Sequence, residues 1–163
     1  MSPLSRNGSP SWEKRTWKLY RIGAGQTIQF RIETGGWIDL HVHWTTEGSR
    51  ACTRTKDCRW CQRGHSRCWR AYVVGYRKAS GLQRIIELTY SAAYDIEESP
   101  LYTNGLCGLN VELSRPGIAK NGRCFCRVLN WEYVDVPASM DHLQRCVELL
   151  YSVAPESLGV LPA

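Results

Sequence analysis

Three cysteines and a histidine with the spacing of metal ligands lie in one stretch of the chain. The pattern is H-x8-C-x5-C-x2-C, formed by His43, Cys52, Cys58 and Cys61. Thiolates grouped this closely, with a C-x2-C pair, are typical of tetrahedral zinc sites. The spacing leaves the fourth ligand open between His43, at the end of a predicted strand, and Cys68, seven residues after the third cysteine. His65 is a weaker third choice.

The chemistry that this spacing predicts is structural. Zinc needs four donors, and a short loop cannot bury its polar backbone without such an anchor. Glu47 is the only glutamate near the cysteines, and the H-x-E pattern of zinc deaminases is absent. The sequence also lacks G-x-S-x-G, H-E-x-x-H and a Walker-type phosphate loop. We therefore expect a structural zinc ion and no enzyme activity.

Positive charge surrounds the loop at 50–68, which carries the three cysteines and is called the cysteine loop below. Residues 50–70 hold seven Arg or Lys and one acid, Asp57. Residues 1–90 hold 16 basic and 6 acidic side chains, a net charge of +10, whereas residues 91–163 hold 5 and 9, a net charge of −4. A basic footprint on one half of a chain is typical of proteins that bind a polyanion such as nucleic acid.

Aromatic and basic residues alternate along two predicted strands. Arg70, Tyr72 and Tyr76 share one face of a strand at 69–78, and the alternation recurs in a last hairpin strand. Cations that follow phosphates and rings that stack on bases suit single-stranded nucleic acid, at about 1–3 kcal/mol for each stacked base. The alternative is that the tyrosines are ordinary sheet residues. The predicted contact residues are Arg59, Trp60, Arg70, Tyr72, Tyr76, Arg115, Arg123, Phe125 and Arg127.

The elements that must position these residues are mostly strands. Hydrophobic alternation predicts strands at 26–33, 37–44, 69–78, 83–89, 106–113 and 123–131, the last two joined by an Asn121-Gly122 turn. Ser91 is the expected N-cap of a short helix that ends near Glu98, and Ser139 that of a helix from Met140 to Val153. We therefore expect a mostly-β fold with one or two helices, arranged as an OB-fold-like antiparallel barrel with a zinc-binding loop insertion and a C-terminal helix.

The predicted organisation is one domain with short extensions. We expect a disordered N-terminus at 1–11, the barrel at 12–136 with its zinc loop at 50–68, the C-terminal helix at 137–154 and a tail at 155–163. The polar start of the chain lacks the apolar core of a signal peptide, and no apolar run reaches membrane-spanning length. These features predict a reduced, cytoplasmic protein without a membrane partner, in which thiols are metal-bound or buried rather than paired in disulfides.

At the level of motifs, the chain resembles the zinc-containing single-stranded DNA-binding proteins of phages and related bacterial mobile elements. The resemblance is carried by His43-Trp44, by the three cysteines of the loop, by Trp69-Arg70-x-Tyr72, and by a glycine-bounded strand at 108–117 that is similar to a hairpin of that family; it covers about residues 17–135. It implies an OB-fold with zinc held by one histidine and three cysteines, which are His43, Cys52, Cys58 and Cys61 here, leaving Cys68 out. One departure is the C-terminus, where residues 154–163 hold a single acid instead of the acidic tail of many replication proteins.

The leading functional prediction is therefore sequence-independent single-stranded DNA binding, with a role in DNA replication or in a mobile element. Two alternatives stay open. The chain could be a protein-interaction module in a replication, recombination or defence complex, docking a nuclease or transposase subunit. RNA binding is the other alternative, because stacking surfaces do not by themselves distinguish the two sugars.

Overall fold

A computed structural model describes residues 17–103, 105–117 and 123–162 and confirms the mostly-β prediction, with 40% of these residues in strands and 19% in helices, the 3-10 turn included. Its strands are β1 Leu19–Tyr20, β2 Thr27–Ile32, β3 Trp37–Thr45, β4 Gly48–Ala51, β5 Arg67–Arg77, β6 Leu82–Thr89, β7 Leu109–Ser114, β8 Phe125–Trp131 and β9 Gly159–Leu161. Its helices are α1 Arg59–Gln62, α2 Tyr90–Glu97 and α3 Met140–Tyr151, and a single 3-10 turn spans Pro155–Ser157. The six predicted strands are all present. The third helix, α1, was not predicted and lies inside the cysteine loop.

All the strands belong to one mixed sheet organised around β5. The main path runs β1-β6-β5-β2-β7-β8, and β3 branches from β5 to pair with β4 and β9 on its other side. With 11 residues, β5 is long enough to pair with β6 along one edge and with both β3 and β2 along the other. The β3–β4 hairpin and the start of β5 therefore meet at one end of the sheet, which is where the cysteine loop is attached.

The expected closure into a barrel is the part of the fold prediction that differs. Within the described residues, β1 and β8 end the sheet without pairing to each other. The reason lies in α2, which packs along β8. The Asp95 carboxylate accepts a hydrogen bond from the Cys126 backbone N–H at 3.0 Å, and the Ser91 hydroxyl donates to the Cys124 carbonyl at 2.9 Å. Because a helix satisfies these edge groups, the sheet needs no further strand there.

Both faces of the sheet bury apolar side chains. The first core lies between the sheet and α2 and includes the alternating residues Ile28, Phe30 and Ile32, and Cys124 and Cys126. The second core lies under α3 and includes Ile38, Leu40, Val42, Tyr72, Val74, Ile85, Leu143, Cys146 and Val147. The prediction that Cys124, Cys126 and Cys146 are small core residues is confirmed.

The N-cap of α3 is the residue predicted from the sequence, whereas the N-cap of α2 is a different residue. Ser139 caps α3 as predicted and accepts from the His142 N–H at 3.1 Å, although the helix ends at Tyr151 instead of Val153. The cap of α2 is Thr89 rather than Ser91. The Thr89 hydroxyl accepts from the Ala92 N–H at 3.3 Å, and Ser91 lies inside the helix, where its hydroxyl donates to the Cys124 carbonyl. Within the described residues, no helix combines the length and the apolar character needed to cross a bilayer.

The predicted C-terminal tail contains a short strand that the sequence did not reveal. Residues of β9 pair with Trp37–Asp39 at the start of β3. Glycine permits this approach, since a Cβ on Gly36 would lie 1.8 Å from the Leu161 carbonyl oxygen. The predicted N-terminal disorder at 1–11 and the Asn121-Gly122 turn lie outside the described residues.

Candidate functional site

The four predicted ligands His43, Cys52, Cys58 and Cys61 form one cluster. Their ligand atoms all lie within 4.8 Å of one another. His43 stands on β3, Cys52 directly follows β4, Cys58 is the N-cap of α1, and Cys61 lies within that helix. The hairpin and the first turn after it thus bring together residues that are up to 18 positions apart. These groups could hold a metal ion.

The separations within the cluster suit a single central ion. The His43 Nε2 atom lies 3.5 Å from the Cys58 sulfur and 3.4 Å from the Cys61 sulfur, and the Cys52 and Cys61 sulfurs are 3.5 Å apart. Tetrahedral ligands with bonds of about 2.0–2.3 Å lie about 3.4–3.8 Å from one another. The prediction of thiols without disulfides agrees with the structure, in which all eight cysteines are free.

Hydrogen bonds around the cluster orient its ligands. His43 is fully buried, and its Nδ1 atom lies 3.0 Å from the Ser66 carbonyl oxygen. With the proton on Nδ1, this nitrogen donates to the carbonyl, and Nε2 presents its lone pair to the sulfurs, as is common for metal-bound histidine. The Arg54 backbone N–H donates to the Cys52 sulfur at 3.4 Å, from a residue in the left-handed conformation with φ 58°.

Two thiols of the cluster differ in the direction of their pKa shifts. Burial by itself would raise the pKa of Cys58, but backbone N–H groups of Cys61, Thr53 and Trp60 outweigh it and lower the pKa to about 5. Desolvation and the neighbouring sulfurs of Cys52 and Cys58 raise the pKa of Cys61 to about 11. A cation at the centre of the cluster would remove the repulsion among the thiolates, so the arrangement favours a bound metal.

The other two candidates for the fourth ligand lie outside this cluster. Cys68 pairs with Val42 across β3 and β5 and packs against the second core. Because neighbouring residues of a strand point to opposite faces, Val42 and Cys68 share the α3 face while His43 points to the other. His65 packs edge-on against Trp60, with the ring centres 5.5 Å apart.

Two arginines flank Trp60 in the cysteine loop, which is called the metal loop from here on. Trp60 is half-buried on α1, and the guanidinium carbons of Arg59 and Arg63 lie 5.1 and 5.4 Å from its ring centre. Both arginines are exposed, and so are Arg54 and Lys56 in the preceding loop. The predicted contact residues Arg59, which is exposed, and Trp60, which is half-buried, therefore lie on one cationic surface beside the metal ligands.

Tyr72 was predicted as a stacking residue, and the structure contradicts this role. It is 0% exposed, because α3 covers its part of the sheet. Its hydroxyl donates to the Glu87 carboxylate at 2.8 Å and contacts the Tyr151 hydroxyl, and burial beside Glu87 raises its pKa. Arg70 on the same face is only 17% exposed and lies 3.7 Å from Glu87. The sequence alternation correctly placed Arg70 and Tyr72 on the same face of β5. It could not show that α3 packs on that face.

The remaining predicted contacts lie on other parts of the sheet, Tyr76 at the end of β5 and the others at the ends of β7 and β8. Tyr76 is half-buried under the Arg31 guanidinium at 5.1 Å, and exposed Phe125 lies 5.0 Å from that of Arg123. Arg127 is exposed and pairs with Glu112 at 3.1 Å. Arg115 is half-buried, and its backbone bonds to Gln26 at 2.9 Å.

Tyr76 lies far from the metal loop. The loop joins β5 at Arg67, and Tyr76 follows nine residues later on the same strand, a separation of about 30 Å at about 3.3 Å per residue. Tyr76 is therefore too distant from Arg59 and Trp60 to share one surface patch with them.

Trp44 is an exposed aromatic residue that was not among the predicted contact residues. It extends the series Ile38, Leu40 and Val42 on β3 and is 48% exposed. The guanidinium carbons of Arg21 and Arg70 lie 5.7 and 5.9 Å from its ring centre. An indole that ends an otherwise aliphatic alternation was the signal that could have identified it.

Comparison of the chain with protein-family models, with curated proteins and with solved structures finds no match. The resemblance to zinc-containing single-stranded DNA-binding proteins therefore stays a prediction.

Proposed function

We propose that the chain binds single-stranded nucleic acid, DNA in preference to RNA, largely without regard to sequence, through its metal-anchored loop. The observation that carries this proposal is the position of Trp60. It lies between the ligands Cys58 and Cys61 and has two exposed guanidiniums within 5.4 Å of its ring. A ring that can stack on a base and cations that can contact the flanking phosphates are the elements of sequence-tolerant recognition.

Zinc is the metal that we propose for the loop. Three thiolates and one imidazole form a ligand set that zinc prefers, and four protein ligands leave no open position for a reaction. The loop also needs an anchor. Helix α1 has only four residues, all described and none buried, and so short a helix is not stable by itself. Metal binding would hold Arg59 and Trp60 in place before nucleic acid arrives.

We expect the surface around Phe125 to contribute less to nucleic-acid binding than the metal loop does. The positive charge of this surface is only partly neutralised, since Arg127 pairs with Glu112 at 3.1 Å while the exposed Arg123 guanidinium lies 5.0 Å from the Phe125 ring. We expect the steep salt dependence of binding to arise chiefly at the metal loop, where several exposed cations lie together.

The exposed Phe125 ring and the Arg127–Glu112 ion pair beside it favour a second candidate function. A surface with an exposed aromatic ring and partly paired charges suits contact with another protein. On this alternative, the chain is an accessory subunit of a nucleic-acid-processing or defence complex.

Fluorescence anisotropy tests the proposal. Zinc-loaded protein is titrated into labelled oligo-dT, duplex DNA and the matched RNA at low and moderate salt. We expect tight oligo-dT binding that weakens with salt, with weaker binding to the RNA and the duplex. Arg63→Ala should lower the affinity and reduce the salt slope by about one. Arg145→Ala is the matched control, since Arg145 is exposed on α3.

Two results would contradict the proposal. Equal losses in the two arginine variants would show that only net charge matters and not the loop. Absence of binding to all three ligands would favour the protein-docking alternative.

A further inference from the structure

Trp44 lies on the opposite face of the sheet from the metal cluster. It follows the ligand His43 on β3, and successive residues of a strand point to opposite faces. Both residues are paired with β4, Trp44 with Ser49 and His43 with Arg50. Within the described chain, β4 pairs only with β3, so it is an edge strand that separates the two faces at this end of the sheet.

The two guanidiniums beside Trp44 are held by a nearly buried carboxylate. Glu87 has a side chain that is 9% exposed and lies 3.1 Å from Arg21 and 3.7 Å from Arg70. Arg21 also donates to the Tyr151 hydroxyl at 3.0 Å. One carboxylate against two guanidiniums leaves a net positive charge. The bonds to Glu87 and Tyr151 fix Arg21 beside the indole before any ligand binds, and Arg70 is held by donating to the Trp69 carbonyl at 2.8 Å.

We propose that Trp44, Arg21 and Arg70 form a second nucleotide-binding position, in which the indole stacks on a base and Arg21 contacts a neighbouring phosphate. Arg21 is the more accessible of the two, with a side chain that is 40% exposed, whereas Arg70 is 17% exposed and supports the ring. The inference rests on the proposed function and extends it. A single strand that stacks on Trp60 would pass around the edge formed by β4 and stack again on Trp44.

Charge and ring exposure together favour a nucleotide at this position. A flat ring with cations beside it is suited to a base attached to a phosphate, because stacking and ion pairing act on adjacent parts of one ligand. Trp131 provides the contrast. It is 54% exposed, and its indole N–H donates to the Cys107 carbonyl at 3.2 Å, but among the described residues no guanidinium lies over its ring.

Oligo-dT affinity is the first test, measured by anisotropy for Trp44→Leu, Trp60→Leu and Trp131→Leu. Leucine keeps an apolar side chain but removes the stacking surface. We expect the first two variants to lose about 5- to 150-fold in affinity and the third to bind like the wild type. Trp44→Phe should lose less than Trp44→Leu, because a smaller ring still stacks. Urea unfolding of each variant checks that the fold is retained.

Ultraviolet cross-linking of wild-type protein to oligo-dT gives an independent test. We expect cross-linked nucleotide on the peptide that contains Trp44 as well as on the one that contains Trp60. Wild-type affinity in Trp44→Leu, together with cross-links confined to the metal loop, would overturn this inference and leave the proposed function intact. A wild-type protein that binds no oligonucleotide would overturn both.

Discussion

Replacing Tyr72 by phenylalanine removes one hydroxyl from the interior and tests whether this residue belongs to the core. The ring is fully buried under α3, and the hydroxyl donates to the Glu87 carboxylate at 2.8 Å. A hydrogen bond to a charged group contributes about 1.5–3 kcal/mol. Glu87 keeps Arg21 at 3.1 Å as an ion-pair partner after the change, which places the expected loss in the free energy of unfolding near the middle of that range, at about 2 kcal/mol.

The assay is urea unfolding followed by tryptophan fluorescence. Tyr133→Phe is the matched control, because Tyr133 is 73% exposed and losing its hydroxyl should change stability by less than about 0.5 kcal/mol. Tyr72→Ala, which removes the buried ring as well, should cost about 3–5 kcal/mol. If Tyr72→Phe unfolded at the same urea concentration as the Tyr133→Phe control, the buried position of this hydroxyl would be refuted.

Two further predictions concern the metal ligands and the partly exposed ion-pair cluster of Glu132 with Arg31 and Lys78. Cys58→Ser should abolish metal binding and open the loop at 50–68 to proteases, whereas Cys68→Ser should retain one metal per chain by atomic absorption; equal metal content in both would contradict the ligand assignment. The Lys78 ammonium, together with the Arg31 guanidinium, holds the pKa of Glu132 at about 2, below its usual value. Its ionised form therefore stabilises the folded protein above about pH 4.5, and this contribution disappears as the pH falls toward 2. Glu132→Gln should unfold more easily than the wild type at neutral pH, with a difference that vanishes in acid, and a difference that persists at pH 2 would contradict this.

The metal ligands could be predicted because their signal is local. The C-x2-C pair and the nearby Cys52 lie within ten residues, and four donors are a chemical requirement of the metal. The choice between His43 and Cys68 needed more than spacing. It depends on the register between β3 and β5, which pairs Cys68 with Val42 and turns both away from the cluster.

The predictions that differ from the structure depend on contacts between distant segments. Alternation in β5 is equally compatible with an exposed stripe and with a face covered by a helix, and the helix that covers Tyr72 begins at Met140. The prediction of a closed barrel was wrong for a similar reason, because it also depends on contacts between distant segments. Whether α2 or another strand covers β8 is decided by single side chains such as Asp95, whose role cannot be recognised from hydrophobic periodicity.

The most direct test of the central claim compares oligo-dT binding by the metal-loaded protein and by the same protein after chelation. We expect removal of the metal to release Arg59 and Trp60 from their fixed positions and to weaken binding at least tenfold, while circular dichroism shows that the two cores stay folded. Adding zinc back should restore the affinity. Equal affinity with and without metal, in a protein whose loop is shown to be metal-free, would contradict the claim that the metal-anchored loop is the binding surface.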